Sequence, residues 1–366
     1  MTIPTRYDWG KLQNFCSEVF IQAGVDKESA QVVAESLIQA DLRGVDSHGV
    51  VRTAIYLKRI ENKMINPSAE ISIESEDDAV VLINGNNHLG AVVGTKALEI
   101  ALHKAQKKGA AIVGVKGSNH FGTGAFYLQK AIEKNMILMV LSNASQTMPP
   151  TGGIRPFIGT NPLAIGVPAG EENPFLLDMA TSVVARGKII VAAQKGEDIP
   201  LGWAIDKDGN PTTNANDALE GSVLPVGGPK GYGISMFIDI LAGVLTGAGF
   251  GKYVNNMYEN WEEPQNVGHF FLAIDIDRFM PIETFKKRMD LYIREIKKEP
   301  KAEGVEEIFI PGEIEKNKVI ERMKNGIELP SKVVEELIEI GTRYKVDLYK
   351  AAKTDSYQHK EAFNKC

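Results

Sequence analysis

Three polar side chains recur four residues apart in "VDSHGVVRTAIYL", residues 45 to 57: His48, Arg52 and Tyr56. On an α-helix that begins after Asp46 or Ser47, such residues stand one above another on a single face. An imidazole, a guanidinium and a phenol on one rigid support could handle a proton, clamp a carboxylate and orient a hydroxyl. The stripe reads either as the lining of a pocket or as a solvated edge whose histidine caps a helix. A serine nucleophile is disfavoured, because no G-x-S-x-G occurs and because Ser47 and His48, adjacent on a helix, point apart.

"VGVKGSNHFGTGAFYLQKA" carries a second candidate. A β-rich run ends at Gly117, a polar turn presents His120, and Gly122 and Gly124 allow close backbone approach before the next helix. Functional groups of α/β proteins gather at such carboxyl ends of strands. His120 is therefore either a general acid/base or a histidine that hydrogen-bonds its own loop. A third set is loop backbone: "NASQTMPPTGGIRPFIGTNPLAIGVP", "LLDMATS" and "LPVGGPKGYG" present many free amides. Lys230, at the expected start of a helix, suits an anion such as pyrophosphate. Asp178, at the end of an apolar run, is either a partner for a histidine or donor, or a buried N-cap for the helix that follows. The glycine-rich stretches match neither G-x-G-x-x-G after a strand nor G-x-x-x-x-G-K-[ST], so no ordinary phosphate loop is expected.

These residues need elements to hold them. The first sixty residues read as three helices: Tyr7 to Ala23, Lys27 to Leu42, and the stripe helix after Ser47. Asp26 and Ser47 serve as N-caps, and Gly24 and Gly44 close the first two helices. Short β-rich runs then appear at 79–85, 110–117, 135–143, 162–168, 174–180 and 269–276. Helical stretches at 89–108, 123–134, 182–195, 230–246 and 281–297 alternate with them, which makes this part α/β with an unreadable sheet order. Helices at 314–325 and 331–344 are expected to pack back on the first three. The division is a helical lobe from residues 1–70, an α/β lobe from 71–312, and C-terminal helices from 313–366 that complete the helical lobe.

The chain has 366 residues, 43% of them hydrophobic, and a net charge of −6, which disfavours nucleic acid and anionic membrane as partners. No apolar run approaches eighteen residues and the N-terminus lacks a signal-peptide pattern, so a cytoplasmic protein is expected. Cys16 and Cys366 are the two cysteines, and His88, His103, His269 and His359 lack metal spacing. No disulfide framework and no metal are expected.

Taken in order, "DSHGVVR", "GSNHFGTGAFY", "MPPTGGIRPFIGTNPLAIGVP", "LLDMATS", "IPLGWAIDKDGNPTT", "VGGPKGYG" and "IFIPGE" resemble the malate/L-lactate dehydrogenase family. These are 2-hydroxyacid oxidoreductases that include ureidoglycolate and sulfolactate dehydrogenases. The resemblance implies a non-Rossmann mixed-sheet lobe, in accord with the missing dinucleotide fingerprint, and a homodimer. It implies NAD or NADP as cofactor and a small 2-hydroxy or 2-oxo acid as substrate, of the malate/oxaloacetate or lactate/pyruvate type.

Carried over by position, the resemblance makes His120 the general acid/base, neutral for oxidation and protonated for reduction. Ser47 and His48 become a substrate-side polar pair, Arg52 the carboxylate clamp and Tyr56 a pocket wall. Asp178, which also counts among the catalytic groups, Met179, Ala180, Lys230, Gly312 and Glu313, with Thr160 and Asn161 of "GTNP" and His120 itself, fall on the cofactor side. "TTNAND" departs from relatives that carry Asp-Pro after the threonines, which touches a loop only. Other readings stay open: a cyclic-imine or keto-sugar-acid reductase, a ureidoglycolate dehydrogenase, or, outside redox chemistry, a lyase or a small-acid binding protein.

Overall fold

A computed structural model of the chain describes residues 6–352; His359 and Cys366 lie outside them. Helix α1 (Trp9–Gln22) begins where Asp8 accepts from Lys11 N, and α2 (Lys27–Leu42) where Asp26 accepts from Ser29 N. Gly24 and Gly44 follow them at φ +90° and +78°, the left-handed backbone that ends a helix. Leu12, Phe15, Val19 and Phe20 of α1 meet Val33, Leu37 and Ile38 of α2 in one buried cluster. Cys16 sits in it, and burial pushes its thiol up to about 12, which makes it inert.

The third helix is not the one expected from Ser47. Asp46–His48 and Val50–Arg52 are separate 3-10 turns, and only Thr53–Glu61 forms an α-helix, α3. Ser47 caps nothing. The break has its cause on the preceding helix: buried Asp41, on α2, accepts from Val50 N at 2.9 Å. A Cβ at position 49 would lie 1.7 Å from the Asp41 carboxylate, so glycine is required there.

Seven strands form the main sheet: β1 (Ser72–Glu76), β2 (Val80–Asn84), β3 (Ala110–Ser118), β4 (Met136–Ser142), β5 (Leu163–Val167), β6 (Phe175–Met179) and β7 (Val267–Asp275). Their spatial order is β1-β2-β3-β7-β4-β5-β6, and every neighbouring pair except β2 and β3 is antiparallel. The sheet is thus mixed. β1, exposed along its whole length, has no apolar alternation and was not expected as a strand. By these directions the carboxyl ends of β2, β3, β4 and β6 and the amino ends of β5 and β7 share one edge. His120, the 143–162 loop, Asp178 and Gln265 all leave from that edge.

Helices α4 (Gly90–Lys108) and α5 (Gly124–Ile132) cover one face of the sheet, with Val93, Leu98, Phe126 and Leu128 packed on Val113, Leu138 and Phe271. A smaller three-stranded sheet (Ala204–Ile205, Pro211–Thr212, Ser222–Val223) packs with α6 (Arg186–Lys195) and α7 (Ala215–Glu220) in a core of its own, which the sequence division did not distinguish. Helix α6 starts later than the pattern suggested because Ser182 is bridged to Pro225 and Val183 N bonds Leu224 O. Ile238 of α8 (Pro229–Asp239) meets Leu141 and Phe270 on the other sheet face, and α8 runs on as a π-helical turn at Ile240–Val244.

Helix α9 (Ile282–Lys298) leads to the tail. There α10 (Glu313–Asn325) touches α2, and α11 (Ser331–Tyr344) touches α1 and α3, with Val334 and Leu337 in the first cluster. Ile327–Glu328 pairs with Arg6–Tyr7.

Candidate active site

The two 3-10 turns bring the stripe residues to one place by a route an unbroken helix would not use. Ser47 Oγ lies 2.9 Å from His48 Nδ1, so the adjacent pair does not point apart as α-helical geometry predicts. The Tyr56 hydroxyl reaches His120 Nδ1 at 2.5 Å, and the His48 and His120 rings stand 5.3 Å apart between centroids. Arg52 is half-buried with no carboxylate partner among the described residues, and its Nε is buried without a hydrogen bond. Its guanidinium faces the Tyr258 ring at 5.7 Å.

The loop after β3 holds His120 firmly. His120 N donates to Gln265 Oε1 at 2.9 Å, and Asn119 Nδ2 donates to Asn87 Oδ1 and to His88 O, each at 2.9 Å. Behind it, Phe121 stacks on His269 at 4.4 Å. His269 is fully buried between Ser142 Oγ at Nδ1 (2.9 Å) and Ser118 Oγ at Nε2 (2.8 Å), which joins the last residues of β4 and β3.

The electrostatics favour neutral imidazoles. Burial first, and then the charge of Arg52, bring His48 down to about 4. Burial, with His48, Arg52 and His269 adding to it, holds His120 well below the ordinary histidine value. Burial alone brings His269 down to about 3 against a backbone hydrogen bond that opposes it. Tyr56 is pushed above the ordinary phenol range by burial, so it keeps its proton and can donate it to His120.

The three glycine- and proline-rich loops meet. Val223 N bonds Thr147 O, Val183 N bonds Leu224 O and Val226 N bonds Thr181 O, while Met148 pairs with Ile158. Met179 stands opposite Leu163 and Asp178 opposite Ala164, which sets Asp178, Met179 and Ala180 beside Thr160 and Asn161. Asp178 does not cap the helix after it. Its Oδ2 accepts from Ala125 N at 2.9 Å and so caps α5, packed so close that a Cβ on Gly124 would strike Ala164. Both polar atoms of Asn161 are taken by the protein, Oδ1 by Ala144 N and Nδ2 by Ser235 O. Its side chain fixes the loop against α8.

Lys230 is the second residue of α8, exposed and without an ion pair among the described residues. Gly312 (φ +100°) packs on Leu176 of β6. Glu313 is buried, bonded to Lys297 at 2.7 Å and to Ile310 N at 2.9 Å, so its carboxylate is already engaged. The hydroxyls of Thr123, Thr147 and Thr181 are buried without partners. Thr123 is three residues from His120 and Thr181 three from Asp178. Unsatisfied hydroxyls together with an unpaired lysine at a helix start fit a polar, phosphate-bearing ligand such as a dinucleotide. Among the described residues no cluster of metal-ligating side chains occurs, and no helix is long and apolar enough to cross a membrane.

Sequence reasoning missed Arg59, Gln265, His269 and Tyr258. Arg59 had a signal, since it lies seven residues after Arg52 and three after Tyr56 on the same helical face. The others are brought in only by the fold.

A sequence-family model for malate/L-lactate dehydrogenase matches residues 7–338. The malate/(S)-sulfolactate dehydrogenase of Methanothermus fervidus is 42% identical over 325 residues, 89% of this chain and 94% of that protein. The NAD(+) ureidoglycolate dehydrogenase of Escherichia coli K12 is 35% identical over 319 residues, 87% of this chain and 90% of that one. The solved structure of sulfolactate dehydrogenase from Methanocaldococcus jannaschii superposes with a TM-score of 0.90 at 38% identity, covering 95% of this chain and all of that one.

Proposed function

Because the chain belongs to the malate/L-lactate dehydrogenase family of oxidoreductases, we propose that it moves a hydride between NAD or NADP and C2 of a small 2-hydroxy or 2-oxo acid of the malate or lactate type. The observation that carries the substrate class is Arg52. A half-buried guanidinium with an unsatisfied Nε and no internal acid is set to receive a carboxylate from outside the chain. When bound, the nicotinamide ring supplies the hydride acceptor or donor.

The chain's own residues bind, orient and handle the proton. Arg52 pins the carboxylate, which fixes the C2 oxygen near the two imidazoles. Oxidation of the alcohol releases one proton from that oxygen. We place its transfer on His48: its Nε2 takes the proton while Nδ1 stays tied to Ser47, whose exposed hydroxyl leads to solvent. His120, held at Nδ1 by the Tyr56 phenol, keeps a proton on Nε2 and donates a hydrogen bond to the same oxygen. A bound carboxylate offsets the field of Arg52 and so raises the basicity of both rings. The second reading exchanges the two histidines, as the sequence alone suggests, and is favoured by the tighter anchoring of His120.

Kinetics with both cofactors and a panel of pyruvate, oxaloacetate, sulfopyruvate, a cyclic imine and ureidoglycolate test the class. No change in nicotinamide absorbance with any of them refutes it; turnover without such a change identifies a lyase, and binding without turnover a binding protein. His48→Asn is expected to lower kcat about 10²- to 10⁴-fold with cofactor affinity kept. A larger loss in His120→Asn supports the exchanged assignment.

We also propose a cytoplasmic homodimer. The dimer rests on an exposed apolar surface along α8 and its π-helical extension, where Phe237 is 56% and Val244 55% exposed. Light scattering that gives a monomer mass at micromolar concentration would overturn the dimer.

A further inference from the structure

Arg59 is 1% exposed, yet no carboxylate among the described residues pairs with it. Its Nη1 donates to Met257 O at 3.0 Å and to Asn260 O at 3.1 Å, while Nε and Nη2 are buried without partners. The Trp261 ring faces the guanidinium at 5.6 Å, but a buried guanidinium with no acid beside it is still expensive for a fold, so its placement calls for a reason. What it secures is the backbone of residues 257 to 260. That segment is also closed on itself: Tyr258 N donates to Asn256 Oδ1 at 2.9 Å, and Asn260 Oδ1 accepts from Glu262 N and Glu263 N. Between the two carbonyls that Arg59 holds sits Tyr258, 52% exposed, with its ring over the Arg52 guanidinium. A few residues on, Gln265 holds the backbone of His120.

We propose that Tyr258 is a specificity-determining residue for the substrate acid and that Arg59 is its positioning residue. The inference rests on the function proposed above. With a carboxylate in the plane of the Arg52 fork, the ring that covers the guanidinium faces the substituent at C3. It admits short, unbranched 2-oxo acids and excludes branched or longer ones. Asn255, Asn256, Asn260 and Trp261 of the same segment line a cleft of ≈ 840 Å³ together with Arg155 and Lys252. Removing the ring takes away the group that covers the guanidinium.

The test is NADH and NADPH oxidation by the full-length protein with pyruvate, 2-oxobutyrate and 2-oxoisocaproate. Tyr258→Ala is expected to raise the ratio of kcat/KM for 2-oxoisocaproate over pyruvate about tenfold or more, and Tyr258→Phe to keep it within about twofold. Arg59→Lys keeps a donor for one carbonyl and is expected to raise KM for pyruvate more than it lowers kcat, with cofactor affinity unchanged. Arg59→Met is expected to move the substrate ratio the same way as Tyr258→Ala; if that variant does not fold, Tyr258→Ala and Arg59→Lys decide. An unchanged ratio in Tyr258→Ala, with an active parent, overturns this inference alone. A parent inactive on every 2-oxo acid and every other substrate of the wider panel overturns the functional reading, and this one with it.

Discussion

The Tyr56 phenol oxygen lies 2.5 Å from Nδ1 of His120, across 64 residues of chain. Tyr56 belongs to the buried cluster of the helical segments, whereas His120 leaves the end of β3, so this one hydrogen bond ties the two structural parts together at the candidate site. Tyr56→Phe removes the bond and little else. A loss of about 1 kcal/mol of stability is expected, with kcat lowered more than KM is raised as the imidazole loses its fixed tautomer. Thermal unfolding and steady-state kinetics check it; an unchanged kcat would show that the phenol only packs.

Arg52→Lys replaces a planar fork with a point charge. The bidentate contact accounts for about 1.5–3 kcal/mol, so KM for the acid is expected to rise about 10- to 100-fold. The dissociation constant of the nicotinamide cofactor should stay the same, as titration by fluorescence would report. Equal weakening of both ligands would remove Arg52 from the carboxylate site.

His48 and His269 set an acid limit on stability. Their native values, about 4 and about 3, lie below the unfolded value near 6.5, so the native state binds fewer protons than the unfolded chain between those limits. Their contribution is complete above pH 6.5 and is lost as pH falls toward 4 and 3. Denaturant midpoints measured from pH 7 to pH 4 should decline, and His269→Gln should decline less steeply from a lower starting point. An identical slope in the variant would mean that His269 already ionises in the native state.

Asp41 acts with the opposite sign. Burial raises its carboxyl to about 8, so the native state holds a proton that the unfolded chain gives up near pH 4. Stability from this group is complete below about pH 4 and is lost as pH rises toward 8. Asp41→Asn keeps an acceptor for Val50 N and has no charge to lose, so the variant should gain on the parent as pH rises from 5 to 8. A parallel pair of curves would show that Asp41 is ionised in the fold.

Much of the scaffold was legible where local signals agreed. Asp26, the apolar stripe and Gly44 bound α2 at Lys27 and Leu42 as expected, and the β-rich runs all became strands. The stripe helix failed because its break is imposed by Asp41, a residue on the preceding helix whose side chain accepts from Val50 N, a contact that apolar periodicity does not report. His48, Arg52, Tyr56 and His120 stood out as polar groups at positions where a fold expects apolar ones. His269 and Gln265 are brought in from the far end of the sheet sequence, and the partner of Asp178 precedes it by 53 residues. Pairings at such distance leave no trace in spacing.

The central position of β7 has a consequence for how the chain matures. β3 and β4 are both complete by residue 142, but the strand that joins them begins only at Val267. While the ribosome makes the intervening stretch, two nascent strand edges stand open, each offering unpaired amides and carbonyls to other chains. Val267 to Asp275 therefore closes a gap that nothing earlier in translation can fill. A chain stopped just before it would carry His120 and Arg52 but lack the strand that joins β3 to β4.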